Sequence, residues 1–388
     1  MSENGSTQGG SSGVPEPLPH ARRNGAPKID KYFRAMTRHG ASDLHLKADT
    51  PAKFRLKGDI LNIDANPLTS DFIEAMVYEI MDERRIQLYH EKGSIDFAYQ
   101  LGVGDRFRIN VFRQRGRTSL AARRVPREIK SFKELNLPET LGGLAKLHQG
   151  LVLLAGITGS GKSTTIASLL EEVNRTRACH IMTIEDPIEF LFEDKQAFVS
   201  QREIGLDVEN FHEALKYMMR EDPDVVLIGE LRDQETYHAA LSAAETGHLV
   251  FGTIHSSGAA NTISRILELF PEESRPLIRS SLVFNLQAIV CLKLLPGLKP
   301  EIPRVPACEI MLASSSIRKL IGDGRDNDIT AVIRNSPHEG MIDFTESIRR
   351  LVDQELISVK TAYAAAPNPD ELKMRLKGIS VMGGGIIG

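Results

Sequence analysis

Apolar and polar positions change their pattern once along the chain. From Ile29 to about Pro126 the pattern is short and two-sided, which predicts a small α+β domain. Tyr32, Phe33 and Met36 recur at helical spacing and run into Gly40, and Ser42-Asp43-Leu44-His45-Leu46-Lys47 then alternates as a half-buried strand does. Phe54 and Leu56 lead to Lys57-Gly58-Asp59, a hairpin signal, and Ile60 and Ile63 follow. Phe72, Ile73, Met76, Val77, Ile80 and Met81 mark one face of a helix opened by Thr69 or Ser70. Phe107, Ile109 and Val111 alternate with Arg106, Arg108 and Asn110, so this strand has one strongly basic face.

Beyond a connector over 127–144 the pattern turns to short, wholly apolar runs. Leu151-Val152-Leu153-Leu154 and Val225-Val226-Leu227-Ile228 are separated by helical segments, as expected of a mostly parallel sheet covered on both faces. From Pro271 the spacing of Leu277, Ile278, Leu282, Val283, Leu286, Ile289 and Val290 predicts mainly helix. Residues 1–28 hold five Gly, four Ser and four Pro and are expected to be a disordered tail, as is 377–388 with its glycines. The domain scheme is therefore tail 1–28, first domain 29–126, connector 127–144, second domain 145–376, tail 377–388.

Composition narrows the classes. The 388 residues carry 48 Lys and Arg against 51 Asp and Glu, so the chain is no polycation built to coat nucleic acid or an anionic bilayer. Any basic site must be local. Cys179, Cys291 and Cys308 lie far apart without CxxC spacing, which argues against a disulfide framework and a zinc knuckle. They read as small buried hydrophobes. No stretch is apolar enough to span a membrane and no signal pattern is present, so a soluble cytoplasmic protein is expected. Trp is absent and aromatics are 6%, which disfavours a base-stacking single-strand binder.

The strongest chemical signal is Gly156-Ile157-Thr158-Gly159-Ser160-Gly161-Lys162-Ser163, a full P-loop between an apolar strand and the helix that starts near Thr164. Glycines let successive N–H groups face a phosphate, Lys162 reaches the β/γ-phosphates of a nucleotide such as ATP, and Ser163 can ligate Mg²⁺. A second apolar strand ends in Gly229-Glu230-Leu231-Arg232-Asp233, where Glu230 can polarise the attacking water or, alternatively, cap the next helix. Glu185 and Asp186 follow a third apolar stretch, either beside Mg²⁺ or in a solvated acidic loop. His255 lies just past another strand, where it can donate to the γ-phosphate; His248 reads as structural, and the spacing does not support zinc. Arg106 to Arg127 holds eight arginines and no acid, and asks for nucleic acid, acidic lipid or the phosphates of a nucleotide on a neighbouring subunit.

In this order the motifs resemble the secretion ATPase superfamily of type II secretion and type IV pilus motors, within it the pilus retraction (PilT-like) branch. The resemblance runs from about Ile29 to Leu376 and rests on Gly40-Ala41-Ser42-Asp43-Leu44-His45-Leu46, the P-loop through Thr164 and Thr165, an Asp box Thr183 to Phe190, a Walker B segment Glu221 to Asp233, and a His box Thr246 to His255. It implies a PAS-like first domain, a RecA-like ATPase core with a helical C-terminal part, and a homohexamer with nucleotide between subunits. It also implies that Glu230 is catalytic, that Glu185 helps with metal and water, and that His255 senses the γ-phosphate. Arg108 and Arg123 would then reach nucleotide across the domain or subunit boundary. The implied partner is the inner-membrane platform protein of a pilus machine, at the cytoplasmic face of the inner membrane, with membrane contact only through partners and no nucleic acid. An assembly or secretion motor and a RecA-like nucleic-acid translocase are the alternatives. The sequence has Ile157 where the family usually shows Pro. Ser315 to Asp323 is similar to the retraction family's AIRNLIRE helix but departs at Lys319, Gly322 and Asp323.

Overall fold

A computed structural model describes residues 26–56, 58–102, 105–125 and 127–378. Most of both expected tails, and Lys57 of the hairpin turn, lie outside the described residues. The chain divides into two compact units, Met1–Val125 and Pro126–Gly388. No described helix is long and apolar enough to cross a membrane.

The first unit is built from α1 (Asp30–His39), β1 (Asp43–Lys47), β2 (Lys53–Leu56), β3 (Asp59–Asn62), α2 (Ser70–Tyr78), α3 (Glu83–Lys92), β4 (Ser94–Gln100), β5 (Arg106–Gln114) and β6 (Arg117–Val125). The α1 helix stops because Gly40 adopts the left-handed conformation and its N–H caps the last carbonyls. Thr69 caps α2 by accepting from Phe72 N. The strands form one antiparallel sheet in the order β3-β2-β1-β6-β5-β4, with Leu56 opposite Asp59 across the predicted hairpin. Leu44, Leu46, Phe107, Ile109 and Val111 are buried with Phe33, Met36, Ile73 and Met76 of the helices. Period-two alternation puts Asp43, Arg55, Arg108 and Arg123 together on the other face.

The second unit comprises α4 (Leu141–Leu144), β7 (Gly150–Ala155), α5 (Lys162–Thr176), β8 (His180–Glu185), β9 (Phe198–Glu203), α6 (Phe211–Met218), β10 (Val225–Ile228), α7 (Gln234–Glu245), β11 (Leu249–Ile254), α8 (Ala259–Glu268), α9 (Arg275–Asn285), β12 (Leu286–Pro296), β13 (Arg304–Leu312), α10 (Ser315–Gly322), α11 (Ile329–Asn335), α12 (Phe344–Asp353), α13 (Val359–Ala365) and α14 (Pro369–Leu376). Seven strands lie in the order β13-β12-β7-β11-β10-β8-β9, parallel except for β13. Every residue of β7, β10 and β11 is buried, which is why these strands read as unbroken apolar runs. Leu169, Leu170 and Val173 of α5 pack with Val152 and Leu154 on one side, together with Leu137, Leu141 and Leu144 from the 127–144 segment. Tyr237, Ala240 and Ile263 pack with Leu151, Leu153 and Ile228 on the other.

From Pro271 onward helices predominate, α9 to α14, but the helical reading of Leu286, Ile289 and Val290 is corrected. The α9 helix ends at Asn285, and Leu286, Ile289 and Val290 begin a strand paired with both β7 and β13. A strand buried on both faces has apolar residues at every spacing, including three and four, so periodicity alone cannot separate it from a buried helix. Cys291 and Cys308 are buried on these strands, and Cys179 is half-buried.

Candidate active site

Four neighbouring strands, β7, β11, β10 and β8, deliver the candidate residues from their carboxyl ends. Ala155 lies opposite Ile254, Gly252 opposite Ile228, and Ile228 opposite Ile184, so the segments that follow these strands emerge side by side. Hydrogen bonds continue past the strands: Gly156 N donates to Ile254 O (3.3 Å), Gly229 N to Ile184 O (2.8 Å) and Leu231 N to Thr253 O (2.9 Å). Thr253 Oγ1 adds a bond to Gly229 O (2.6 Å).

The loop from Gly156 to Gly161 is shaped by its glycines. Gly156 has φ 150°, and a Cβ there would sit 2.4 Å from Ser160 Oγ and 2.7 Å from Leu292 O. Gly161, at φ 100°, is the N-cap of α5 and offers its first-turn amides no side-chain acceptor. Ser160 Oγ is buried with no hydrogen-bond partner. Lys162 Nζ curls back to donate to Gly156 O (2.8 Å) and Ile157 O (3.1 Å). Burial pushes the Lys162 ammonium down from its ordinary pKa, while Glu230 and Glu189 pull it up. Ile157 is 74% exposed, and Thr158 is also exposed. An uncapped helix N-terminus, a lysine and an orphan hydroxyl in a tight glycine turn are a donor set that fits nucleotide phosphates. Ser163 and Thr164 occupy the first turn of α5.

Glu230 is gripped at both oxygens. Arg232 Nη2 lies 2.6 Å from Oε2, and His255 Nε2 lies 3.2 Å from Oε1. It does not cap α7, since Asp233 does so with Thr236 in a reciprocal capping box. Glu185 is the last residue of β8 and is buried. Burial pushes its carboxyl above the ordinary range, opposed by donors from Thr183 Oγ1 (2.7 Å), Gln201 Nε2 (3.2 Å) and Glu189 N (3.4 Å). Asp186 follows it on the loop and is exposed. His248 makes structural contacts only, with Ala243 O (2.9 Å) and Thr246 Oγ1 (3.1 Å) at the end of α7.

Among the described residues no group of three or more His, Cys, Asp or Glu converges as a cation cage. The donor set suits Mg²⁺ entering with phosphate oxygens, which keeps several of its ligands outside the protein. Arg108 and Arg123 belong to the first unit, directly opposite each other on β5 and β6. Thr183, Gln201 and Arg232 escaped sequence reasoning. Arg232 stands two residues from Glu230 and Thr183 two residues from Glu185, and that proximity is the signal for both; Gln201 is recognisable only once β8 and β9 are paired.

Comparison with known proteins gives the same picture. The profile described as Type II/IV secretion system protein matches residues 24–351. The chain is 40% identical over 342 residues to the type IV pilus retraction ATPase PilT of Pseudomonas aeruginosa, covering 88% of this chain and 99% of that one. It is 37% identical to a twitching motility protein of Neisseria gonorrhoeae, over 82% of this chain and 85% of the relative. A crystal structure of the pilus retraction motor PilT with bound ADP superposes with a TM-score of 0.83 at 40% identity, covering 89% of this chain and 99% of that chain. With a mixed α/β architecture of two sheets and the profile matched over residues 24–351, the chain belongs to the type II/IV secretion system protein family.

Proposed function

We propose that this protein is a Mg²⁺-dependent P-loop ATPase working as a homohexameric motor for type IV pilus retraction, and so for twitching motility. The observation that carries the reading is the convergence of the phosphate loop, Glu230 and His255 at adjacent strand ends. Similarity to PilT over nearly the whole chain supports retraction as the output. In this reading the first unit is PAS-like and the second RecA-like. The motor works in the cytoplasm at the inner membrane and acts on the pilus platform protein.

Backbone N–H groups of Gly159, Gly161, Lys162 and Ser163, with the Thr158, Ser160 and Thr164 side chains around them, cradle the ATP phosphates. Lys162 exchanges its two carbonyl acceptors for β/γ-phosphate oxygens. Ser163 Oγ and Glu185 would hold Mg²⁺, which supplies charge neutralisation at the β- and γ-phosphates. Glu230 releases one oxygen to orient the attacking water, and His255, on its other oxygen, reports the γ-phosphate. Arg108 and Arg123, supplied by a neighbouring copy, offset the charge that builds on the transferred phosphoryl group.

A strain lacking the protein, carrying either the parental gene or Lys162→Ala, tests this reading by its surface pilus count and surface motility. Extra pili and lost motility, rescued by the parental gene and not by Lys162→Ala, are expected. A bald cell would assign the chain to assembly, and an unchanged count to secretion or nucleic-acid translocation.

A further inference from the structure

The Ser42-Asp43 pair at the start of β1 takes no part in the chemistry above, yet it sits where it can govern one participant. Asp43 lies opposite Arg55 on one side and Arg123 on the other, and Arg123 lies opposite Arg108. Four side chains thus form one row across β2, β1, β6 and β5, on a single face of the sheet.

Within this row the acid is buried and the arginine exposed. Asp43 is 6% exposed, whereas the Arg123 side chain is 68% exposed. Asp43 Oδ1 accepts from Arg123 Nε at 2.8 Å, and its other oxygen, Oδ2, accepts from Ser42 Oγ at 2.8 Å. Ser42 is itself tied to the next strand, donating from N (3.0 Å) and Oγ (3.3 Å) to Arg55 O. Arg55 Nε lies 3.7 Å from Oδ2. Burial alone would raise the Asp43 carboxyl; the Arg123 and Ser42 hydrogen bonds outweigh it and hold the group below its ordinary value.

An ion pair with so exposed an arginine contributes little to stability, and burying a carboxylate is costly, so holding the fold together is a poor account of the arrangement. Its clear effect is directional. Taking the guanidinium by Nε leaves the two terminal nitrogens for a second, bidentate anion. Arg108 lies directly opposite Arg123 across the strand pair, so a phosphate held by Arg123 has a second guanidinium beside it.

We infer that Asp43, braced by Ser42, is the positioning residue that aims Arg123 at nucleotide phosphate. The inference rests on the role proposed above for Arg123. It gives the Gly40 to Leu46 motif a chemical purpose: Gly40 ends α1, Ser42 braces, Asp43 aims, and Leu44 and Leu46 anchor the strand in the core.

Steady-state ATP hydrolysis by the full chain tests it with Asp43→Ala, Asp43→Asn, Arg123→Ala and Asp43→Ala/Arg123→Ala, each with a thermal unfolding curve. Misaiming a charge-stabilising group is expected to lower kcat about 10- to 100-fold in Asp43→Ala, with KM for ATP within about twofold. Asp43→Asn retains more activity, because its amide oxygen still accepts from Nε. The double variant is expected to be no slower than Arg123→Ala, since Asp43 acts only through Arg123. Parental kcat in Asp43→Ala beside an impaired Arg123→Ala overturns the inference, as do losses that multiply in the double variant. Full activity in Arg123→Ala refutes the parent reading and takes the inference with it. If Asp43→Ala fails to fold, Asp43→Leu, of similar shape but with no acceptor for Nε, and its double variant with Arg123→Ala carry the same comparison.

Discussion

Replacing Glu230 by Gln separates chemistry from binding, because the structure lets the change be nearly silent in every other respect. Gln has the same shape, and one rotation keeps its oxygen toward Arg232 while its NH₂ faces His255 Nε2, which accepts in the Nδ1–H tautomer. The ion pair lost is shallow: the Arg232 side chain is 60% exposed, so its contribution is about 0–1 kcal/mol. For a unit of this size that predicts a midpoint shift within about 3 °C. Removal of a carboxylate that orients or deprotonates water costs about 10²- to 10⁴-fold in turnover, or about 3–5 kcal/mol in the barrier. Neutralising an acid beside the γ-phosphate removes a repulsion, so ATP affinity is expected to hold or rise. Phosphate release in steady state, a fluorescent-nucleotide titration and thermal unfolding read the three quantities on one preparation. Turnover within about threefold of the parent would remove Glu230 from the role of general base. Loss of nucleotide binding would show that it supports the cradle instead.

The remaining predictions concern loop geometry and the C-terminal helices. Gly156→Ala places a Cβ 2.4 Å from Ser160 Oγ at a backbone φ of 150°. About 2–5 kcal/mol of stability and at least about tenfold in nucleotide affinity are expected to be lost. Gly143→Ala, with nothing within 4 Å of the added methyl, is the neutral control in the same melting and titration assays. Glu346 on α12 is held down to about 2 by hydrogen bonds from Arg349 and then Arg350. Its folded pKa lies below the ordinary 4.5, so its stabilisation is complete above that value and lost as pH falls toward 2. Urea unfolding is expected to show Glu346→Gln well below the parent near pH 6 and close to it near pH 2.5; a gap that widens on acidification would refute the assignment.

What the sequence discloses follows from how local each interaction is. The P-loop is contiguous, so its strand, turn and helix were legible together. Glu230 and His255 were legible because each follows a run buried on both faces. That β11 lies between β7 and β10, which brings His255 against Glu230, depends on strand order and leaves no local mark. The grip of Gln201 on Glu185 joins β8 to β9, and the grip of Asp43 on Arg123 spans 80 positions. The α3 helix was missed because it fully buries only Tyr89 and carries no periodic stripe. Asp82 as cap, Glu83 in the first turn and the left-handed Gly93 were the signals for it. The β12 strand was misread for the opposite reason, an apolar content so continuous that every period fits.

Charge around the loop makes the arginines of the first unit the natural completion of the site. Glu230 and Glu189 act on Lys162, and Glu230, Asp186 and Asp233 on Arg232, so around these two bases the acids are in the majority. A nucleotide triphosphate, anionic even with its metal, enters a field already negative and is retained by backbone N–H groups and the α5 N-terminus, which carry no countercharge to lose. Charge that builds on the γ-phosphoryl oxygens during hydrolysis is not relieved by such a field. The missing cations must come from outside this set. Arg108 and Arg123 lie directly opposite each other on one strand pair and form a two-guanidinium face. In the proposed assembly, a neighbouring copy brings that face to the phosphates, so each phosphate-binding loop stays a holder of nucleotide until a second chain completes its charge.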